Sequence, residues 1–339
     1  MPSDKRIVVE ALSRVAEGGL AGLERNLGLA YDAHAAWRGS HPLNEVHGVA
    51  AIEAQVWRPL LQALPDLERR DLLVLQGDHG GHRFVGAVGH YLGTFRHSWL
   101  GIPPTGQSVY LRYGEVHAVS QGRIVQTTLL VDVLDLMRQA GCWPLGPSTG
   151  AEVRWAGPFG IGEGVGALNL DRTDPEQGAA SLAQTLAMHA TLGAYNAQAT
   201  EGRQGLIDMP QRLHWHPRMM WYGPSGIGTT RGLDGFVDGH QLPFRIAFPQ
   251  RKGGQHYVRI GDGPFSATGG WPSVVAIHGG PFMGSGPTGR EVGMRVMDFY
   301  HHHEGLIREN WVPIDIIHLL LQMDIDVFER MRLRLKTAG

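Results

Sequence analysis

One stretch of this 339-residue chain occurs twice. Pro104-Thr105-Gly106 returns as Pro287-Thr288-Gly289, Gly122 as Gly305, Asp132 as Asp315 and Gln139 as Gln322, all at a spacing of 183 residues. Val109, Arg112, Ile124 and Leu136 keep the same spacing to Val292, Arg295, Ile307 and Leu319. An ungapped match of this length means one module built twice, with an Asp at a fixed place in each copy.

The repeated stretch reads as a hairpin followed by a helix. Pro-Thr-Gly is a turn, and Val109 to Val119 is rich in β-branched and aromatic residues. Ser120-Gln121-Gly122 breaks that run before a second one, Arg123 to Val131, which predicts a hairpin with a three- to five-residue loop. Val133, Leu134, Leu136 and Met137 then fall at helical spacing up to Gly141. Asp132 and Asp315 therefore sit where a strand becomes a helix, and each is a good N-cap as well as a candidate for chemistry.

The length suits two domains, each long enough to bury a core. A formal charge of −2 implies no basic surface for nucleic acid. The single cysteine, Cys142, excludes an internal disulfide and suits a reducing compartment. Met1 to Glu10 has no apolar signal core, and no run approaches a membrane span. The expectation is a cytoplasmic protein with no membrane partner.

Along the chain, Asp4 can cap a first helix carrying Ile7, Val8, Ala11, Leu12 and Val15 on one face. Leu20 to Tyr31 and Gly48 to Leu64 are further helices, and Trp37 to Pro42 is a break into extended chain. Strand-like runs follow at Leu72 to Gln76 and Gly81 to Phe95. Helices first and strands afterwards argue α+β with an antiparallel sheet. Pro144 to Leu170 is rich in Gly and Pro and reads as a linker. Asp174-Pro175-Glu176-Gln177 starts a helix that runs toward Ala199. Gly232 to Pro249 repeats Gly48 to Pro65 at a spacing of 184, strands are expected over Tyr257 to Ile277, and one long helix is expected over Ile316 to Leu335.

Two motifs bear on ligand binding. Gly223-Pro224-Ser225-Gly226-Ile227-Gly228-Thr229-Thr230 has the look of a phosphate loop but carries Thr where the Lys belongs. His214 with His216, and His301 with His303, are i, i+2 pairs that share a strand face and, with a carboxylate, suit a metal; lining a pocket or a solvated face is the plainer reading.

Three helices, a sheet, Leu100-Gly101-Ile102-Pro103-Pro104-Thr105-Gly106, Gly122-Arg123-Ile124, Asp132 and Gln139-Ala140-Gly141 together resemble the SnoaL-like polyketide cyclase family. Gly286-Pro287-Thr288-Gly289, Gly305-Leu306-Ile307, Glu309-Asn310-Trp311, Asp315 and Gln322-Met323 carry the resemblance in the second half, with weaker support from His41-Pro42 and Pro65-Asp66. The resemblance implies the cone-shaped nuclear transport factor 2-like fold in two tandem modules, 1–145 and 173–339, joined by a linker at 146–172 and paired as a pseudo-dimer. It also implies a chemistry without metal or cofactor, in which an Asp is general acid and base in an intramolecular aldol closure. That Asp falls on Asp132 and Asp315, and the family's strand histidine falls on His301. The first half has Ala118 in that place and Gln126-Thr127-Thr128 where the family favours Glu-His-Trp, so the second module is the one expected to act.

The expected function is thus a cofactor-independent cyclase, or a related lyase or isomerase, acting on a small apolar or aromatic metabolite. Asp315, His301 and Asp132 are its catalytic candidates. Trp221, Tyr222, Asn310, Trp311, His214, His216 and His41 are the substrate-contact candidates. A non-catalytic binding protein of the same fold and a metal-assisted enzyme using the His pairs stay open beside it, as does a homodimer of the tandem chain.

Overall fold

The computed structural model describes residues 3–161, 170–193 and 202–338. The chain divides into two compact units: Met1–Pro144 with Gly160–Thr173 and Phe328–Gly339, and Leu145–Phe159 with Asp174–Val327. The fold is α+β.

In the first unit, helices Asp4–Glu17, Gly19–Ala30 and 49–63 precede most of a six-stranded sheet. Its strands are β1 (Tyr31–Gly39), β2 (Asn44–His47), β3 (Glu68–His79), β4 (His82–Thr94), β5 (Ser108–Ser120) and β6 (Arg123–Val131), ordered β2-β1-β6-β5-β4-β3. In the second unit, helix Pro175–Gly193 and the helical stretch 232–247 accompany β7 (Trp215–Tyr222), β8 (Thr229–Arg231), β9 (Gln250–Gly253), β10 (His256–Asp262), β11 (Phe265–Ile277), β12 (Glu291–His303) and β13 (Leu306–Trp311). The order is β10-β11-β12-β13-β7-β8, with β9 paired to β11.

Several local expectations change. Both sheets are mixed, because β1 runs parallel to β6 and β7 parallel to β13. The segment read as a break at Trp37 belongs to the first of these parallel strands, and Trp215 begins the second. Neither strand carries a β-branched residue, which hides them in the sequence. The hairpin loops are tighter than expected: two residues, Gln121-Gly122 and Glu304-Gly305, with φ of 50° and 74° and of 53° and 73°. Positive φ at both positions matches the right-handed twist of the strands, and Gly makes the second position easy. Ser3, rather than Asp4, caps the first helix. The long C-terminal helix is two, Ile316–Gln322 and Val327–Ala338, broken where Asp324 takes φ 62°. Asp174 does cap its helix, accepting from the Gln177 N–H at 2.9 Å. The end expected for that helix, toward Ala199, lies outside the described residues. Among the described residues no helix is long and apolar enough to cross a membrane.

The repeated residues share one mechanical task. Asp132 accepts the Asp135 N–H at 3.0 Å and pairs with Arg112 at 2.8 Å. Asp315 accepts the His318 N–H at 3.1 Å and pairs with Arg295 at 3.0 Å. Gln139 holds both the N–H (3.1 Å) and the C=O (2.7 Å) of Tyr110 on β5, and Gln322 does the same to Gly293 on β12 (2.8 and 3.0 Å). Each trio clamps the short helix after the hairpin to the hairpin's first strand, β5 or β12. Replacing Asp315 with Ala removes the cap and leaves the Arg295 charge facing a largely buried site. The expected loss is about 2–4 kcal/mol, read as a lower denaturant midpoint, and Asp132→Ala should lose a similar amount.

Candidate functional site

The second unit encloses a cavity of about 460 Å³. Alternation along β12 turns Met294, Val296, Asp298 and Tyr300 toward it. β13 adds Asn310, helix Pro175–Gly193 adds Met188 and His189, and β7 adds Trp215 and Trp221. A π-helical turn, Val237–Gln241, brings His240 and Gln241 to the wall. His240 stacks on Trp221 with ring centroids 4.2 Å apart. Burial, with Arg245 and Arg251 nearby, pushes its pKa down to about 3, so it is neutral.

Asp298, half-buried, is the carboxylate among the described residues that line this cavity. Burial pushes its pKa up to about 6, against hydrogen bonds from Tyr300 and Asn310 that favour the charged form. The Tyr300 hydroxyl also meets Nε2 of His189 at 2.8 Å, and burial lowers His189 to about 4. A neutral imidazole, a phenol and a carboxyl poised near neutrality are thus joined by successive hydrogen bonds. Such a set can hand a proton to a carbon or oxygen and take it back.

The equivalent position in the first unit, at the 183-residue spacing, is Glu115, and its surroundings are opposite. Arg69 pairs with Glu115 at 2.5 Å and with Asp71 at 2.6 Å, and Nε2 of His117 lies 3.1 Å from Glu115. Burial would raise Glu115, but the Arg69 guanidinium and His117 hold it down at about 2. Tyr91 stacks on Tyr113 at 4.5 Å and meets the edge of Trp57 at 6.0 Å, which fills this interior with rings. A carboxylate fixed in its charged state by a buried cation is a poor proton shuttle near neutral pH.

The anticipated residues divide. Trp221 and Asn310 line the cavity of the second unit. Asp315 and Asp132 are the helix clamps described above, and Asp315 is not among the residues lining the cavity although its neighbour Ile314 is. His301 lies on the other face of the sheet, its Nδ1 2.6 Å from Glu309, whose second oxygen accepts the Phe159 N–H at 3.2 Å. Trp311 and Tyr222 stack on that same far face, 5.4 Å apart, and the Trp311 indole donates to the Ala156 carbonyl at 3.1 Å. His214 meets Thr191 at 3.0 Å, and His216 lies 4.0 Å from Glu304. His41 is in the first unit, its ring 6.3 Å from Phe328. Among the described residues no three His, Cys, Asp or Glu side chains cluster closely enough to hold a metal. The loop that looks like a phosphate loop holds a carboxylate of its own chain: Glu152 accepts from the Ser225 hydroxyl and the Gly226 N–H, each at 2.8 Å.

Asp298, Tyr300 and His189 escaped the sequence reading. A signal was present: in both copies a carboxylate, Glu115 or Asp298, follows the shared Arg112 or Arg295 by three residues inside a strand-like run.

A family model described as SnoaL-like polyketide cyclase matches residues 27–140 and again 211–323. No curated protein matches the chain. Similar solved structures include a proposed SnoaL-like polyketide cyclase from Jannaschia sp. CCS1, 20% identical over 39% of this chain and 90% of that one, with a TM-score of 0.31. An NTF2-like protein from Burkholderia thailandensis E264 is 22% identical over 42% of this chain and 98% of its own, with a TM-score of 0.31. AclR, a proposed hydroxylase from Streptomyces galilaeus, is 19% identical over 41% and 95%, with a TM-score of 0.34. Each neighbour spans about one module. With both modules matched and the same sheet built twice, the chain belongs to the SnoaL-like polyketide cyclase family, as a tandem of two modules.

Proposed function

We propose that the second module is a cofactor-independent proton-transfer enzyme of the polyketide cyclase kind, with Asp298 as its acid and base. The observation that carries this is the desolvated carboxyl in an aromatic-walled cavity, raised to about 6 and held by Tyr300 and Asn310. Trp215, Trp221 and Phe236 offer flat walls to a ring-bearing substrate.

The Asp298 carboxylate takes a proton from a carbon next to a carbonyl, leaving an enolate. The enolate carbon attacks a second carbonyl carbon of the same molecule; a C–C bond forms and the C=O pair becomes an alkoxide. The alkoxide recovers the proton from the Asp298 carboxylic acid. Nothing is oxidised or reduced, and no co-reactant is consumed. Once protonated, Asp298 no longer needs both of its donors, and Tyr300 or Asn310 can turn to the enolate oxygen. His189, neutral, orients the Tyr300 hydroxyl. In this reading the first module, with Glu115 neutralised by Arg69, serves the architecture.

Asp298→Asn should lower deuterium uptake at the α-carbon of an aryl β-keto ester in D2O by about 10²–10⁴-fold, with retained binding of the probe. Asp315→Asn should lower stability and leave the rate within about tenfold. The reverse pattern would return catalysis to Asp315, and probe binding without exchange in the unaltered protein would make the cavity a binding site.

The active form is the carboxylate, so the rate should rise with pH through about 6 and then level. Stability should move the other way. The folded pKa lies above the ordinary value of 3.8, so ionising Asp298 costs nothing below about pH 4, where it is protonated folded or unfolded. The cost builds between about 4 and 6 and is complete above, at about 1–3 kcal/mol. Asp298→Asn should therefore gain thermal stability over the unaltered protein as pH rises from 4 to 7, and an unchanged difference would contradict the raised pKa.

A further inference from the structure

The two modules place different side chains at matching positions, and strand register identifies the matches. Tyr91 of β4 lies opposite Leu111 of β5, as Val274 of β11 lies opposite Met294 of β12. Tyr113 lies opposite Val131, as Val296 bridges to Ile314. All four residues recur at the spacing of 183. Val274 therefore stands where the first module has Tyr91, and Val296 where it has Tyr113.

The exchange changes what the strands present. In the first module both tyrosines are fully buried and stack, with ring planes tilted by 28°. The edge that Tyr91 meets belongs to Trp57, on the π-helical turn Glu53–Trp57. In the second module both valines are partly exposed and line the cavity. Gln241 takes the place of Trp57, at the spacing of 184 that relates the helical stretches. The rings sit instead on the helical side and on β7: Phe236 and Phe244 replace Ile52 and Leu60, and Trp215 replaces Tyr31. Two valines thus form a floor where the first module keeps a stacked pair of its own rings.

We propose that Val274 and Val296 are the specificity-determining residues of the second module, admitting the fused rings of an aromatic ketone to the place that Tyr91 and Tyr113 fill in the first. The inference rests on this cavity being the substrate's site, and it adds a size class and an orientation. The side chains given up are two phenol rings, so a fused system of two rings or more fits, and a single ring leaves room beside it. Ring faces laid on the valine methyls supply apolar contact area. Val296 and Asp298 are two residues apart on β12, on one face and about 7 Å along the strand. A ring seated on the valines therefore brings a carbonyl attached to it toward Asp298.

The test uses the full chain and two aryl β-keto esters, ethyl benzoylacetate with one ring and ethyl 2-naphthoylacetate with two, titrated by calorimetry. The naphthyl ester should bind at least about tenfold more tightly. Val274→Phe/Val296→Phe restores a pair of rings without adding a hydroxyl to be satisfied. Its denaturant midpoint should hold or rise, because the rings fill existing space, and its binding of the naphthyl ester should fall at least about tenfold. Val296→Phe alone, a smaller change, should weaken the naphthyl ester more than the phenyl ester. A lower midpoint in both variants would mean that the valines are packed with no room beside them. Undiminished naphthyl binding in the double variant would place the rings elsewhere, and equal binding of the two esters by the unaltered protein, or none, would remove the size class. Each of these results overturns the proposal. Naphthyl binding that is lost in the Phe variants of a protein exchanging no α-proton would leave the ring site standing and remove catalysis. Exchange on the naphthyl ester that persists in the double variant would do the reverse.

Discussion

An Arg–Asp pair on a helix cap is what the rest of each module hangs on. The Asp follows the last strand of the hairpin, caps the helix after it and ties to an Arg on the neighbouring strand, and the Gln two turns on locks the helix to that strand's backbone. Because the helix is short, seven residues in each copy, it has little stability of its own and depends on these contacts. The clamp fixes where β5 and β6, or β12 and β13, leave the sheet, and so fixes which face of the strand turns inward. In the second unit that face carries Asp298 and Tyr300.

The two modules show how one backbone supports opposite electrostatics. Both place a carboxylate at the same position of the same strand. In the first, Arg69 and His117 surround it, tyrosines fill the interior, and the carboxylate stays charged. In the second, a phenol and an amide surround it, the space is left open, and burial raises it toward neutral pH. Desolvation without a compensating cation gives a group able to exchange a proton; desolvation with one gives a buried ion pair.

Much of this fold is legible in the sequence because a repeat tests itself: Pro-Thr-Gly, the hairpin and the helix after Asp132 recur around Asp315, and a mistaken reading of one copy is checked by the other. The parallel strands β1 and β7 were less legible, since parallel pairing is a long-range contact and their composition is mixed. The repeat picks out what the two copies have in common. Residues identical in both copies, Asp132 and Asp315, hold the architecture both copies share. The group we propose for chemistry lies at a position where the copies differ, Glu115 against Asp298. His301 shows the same limit. Its place in the motif was readable, but which face of β12 it takes depends on register, and the register puts it against Glu309 rather than in the cavity.

The most direct test of the central claim is a crystal structure of the chain with a flat aromatic ketone or enol analogue bound. The account expects density in the cavity of the second module, with the ligand oxygen or acidic carbon within hydrogen-bond reach of Asp298 and Asn310, and with Asp315 still on its helix and on Arg295. A ligand at Asp315, or one seated against Glu115 in the first module with Arg69 displaced, would contradict it.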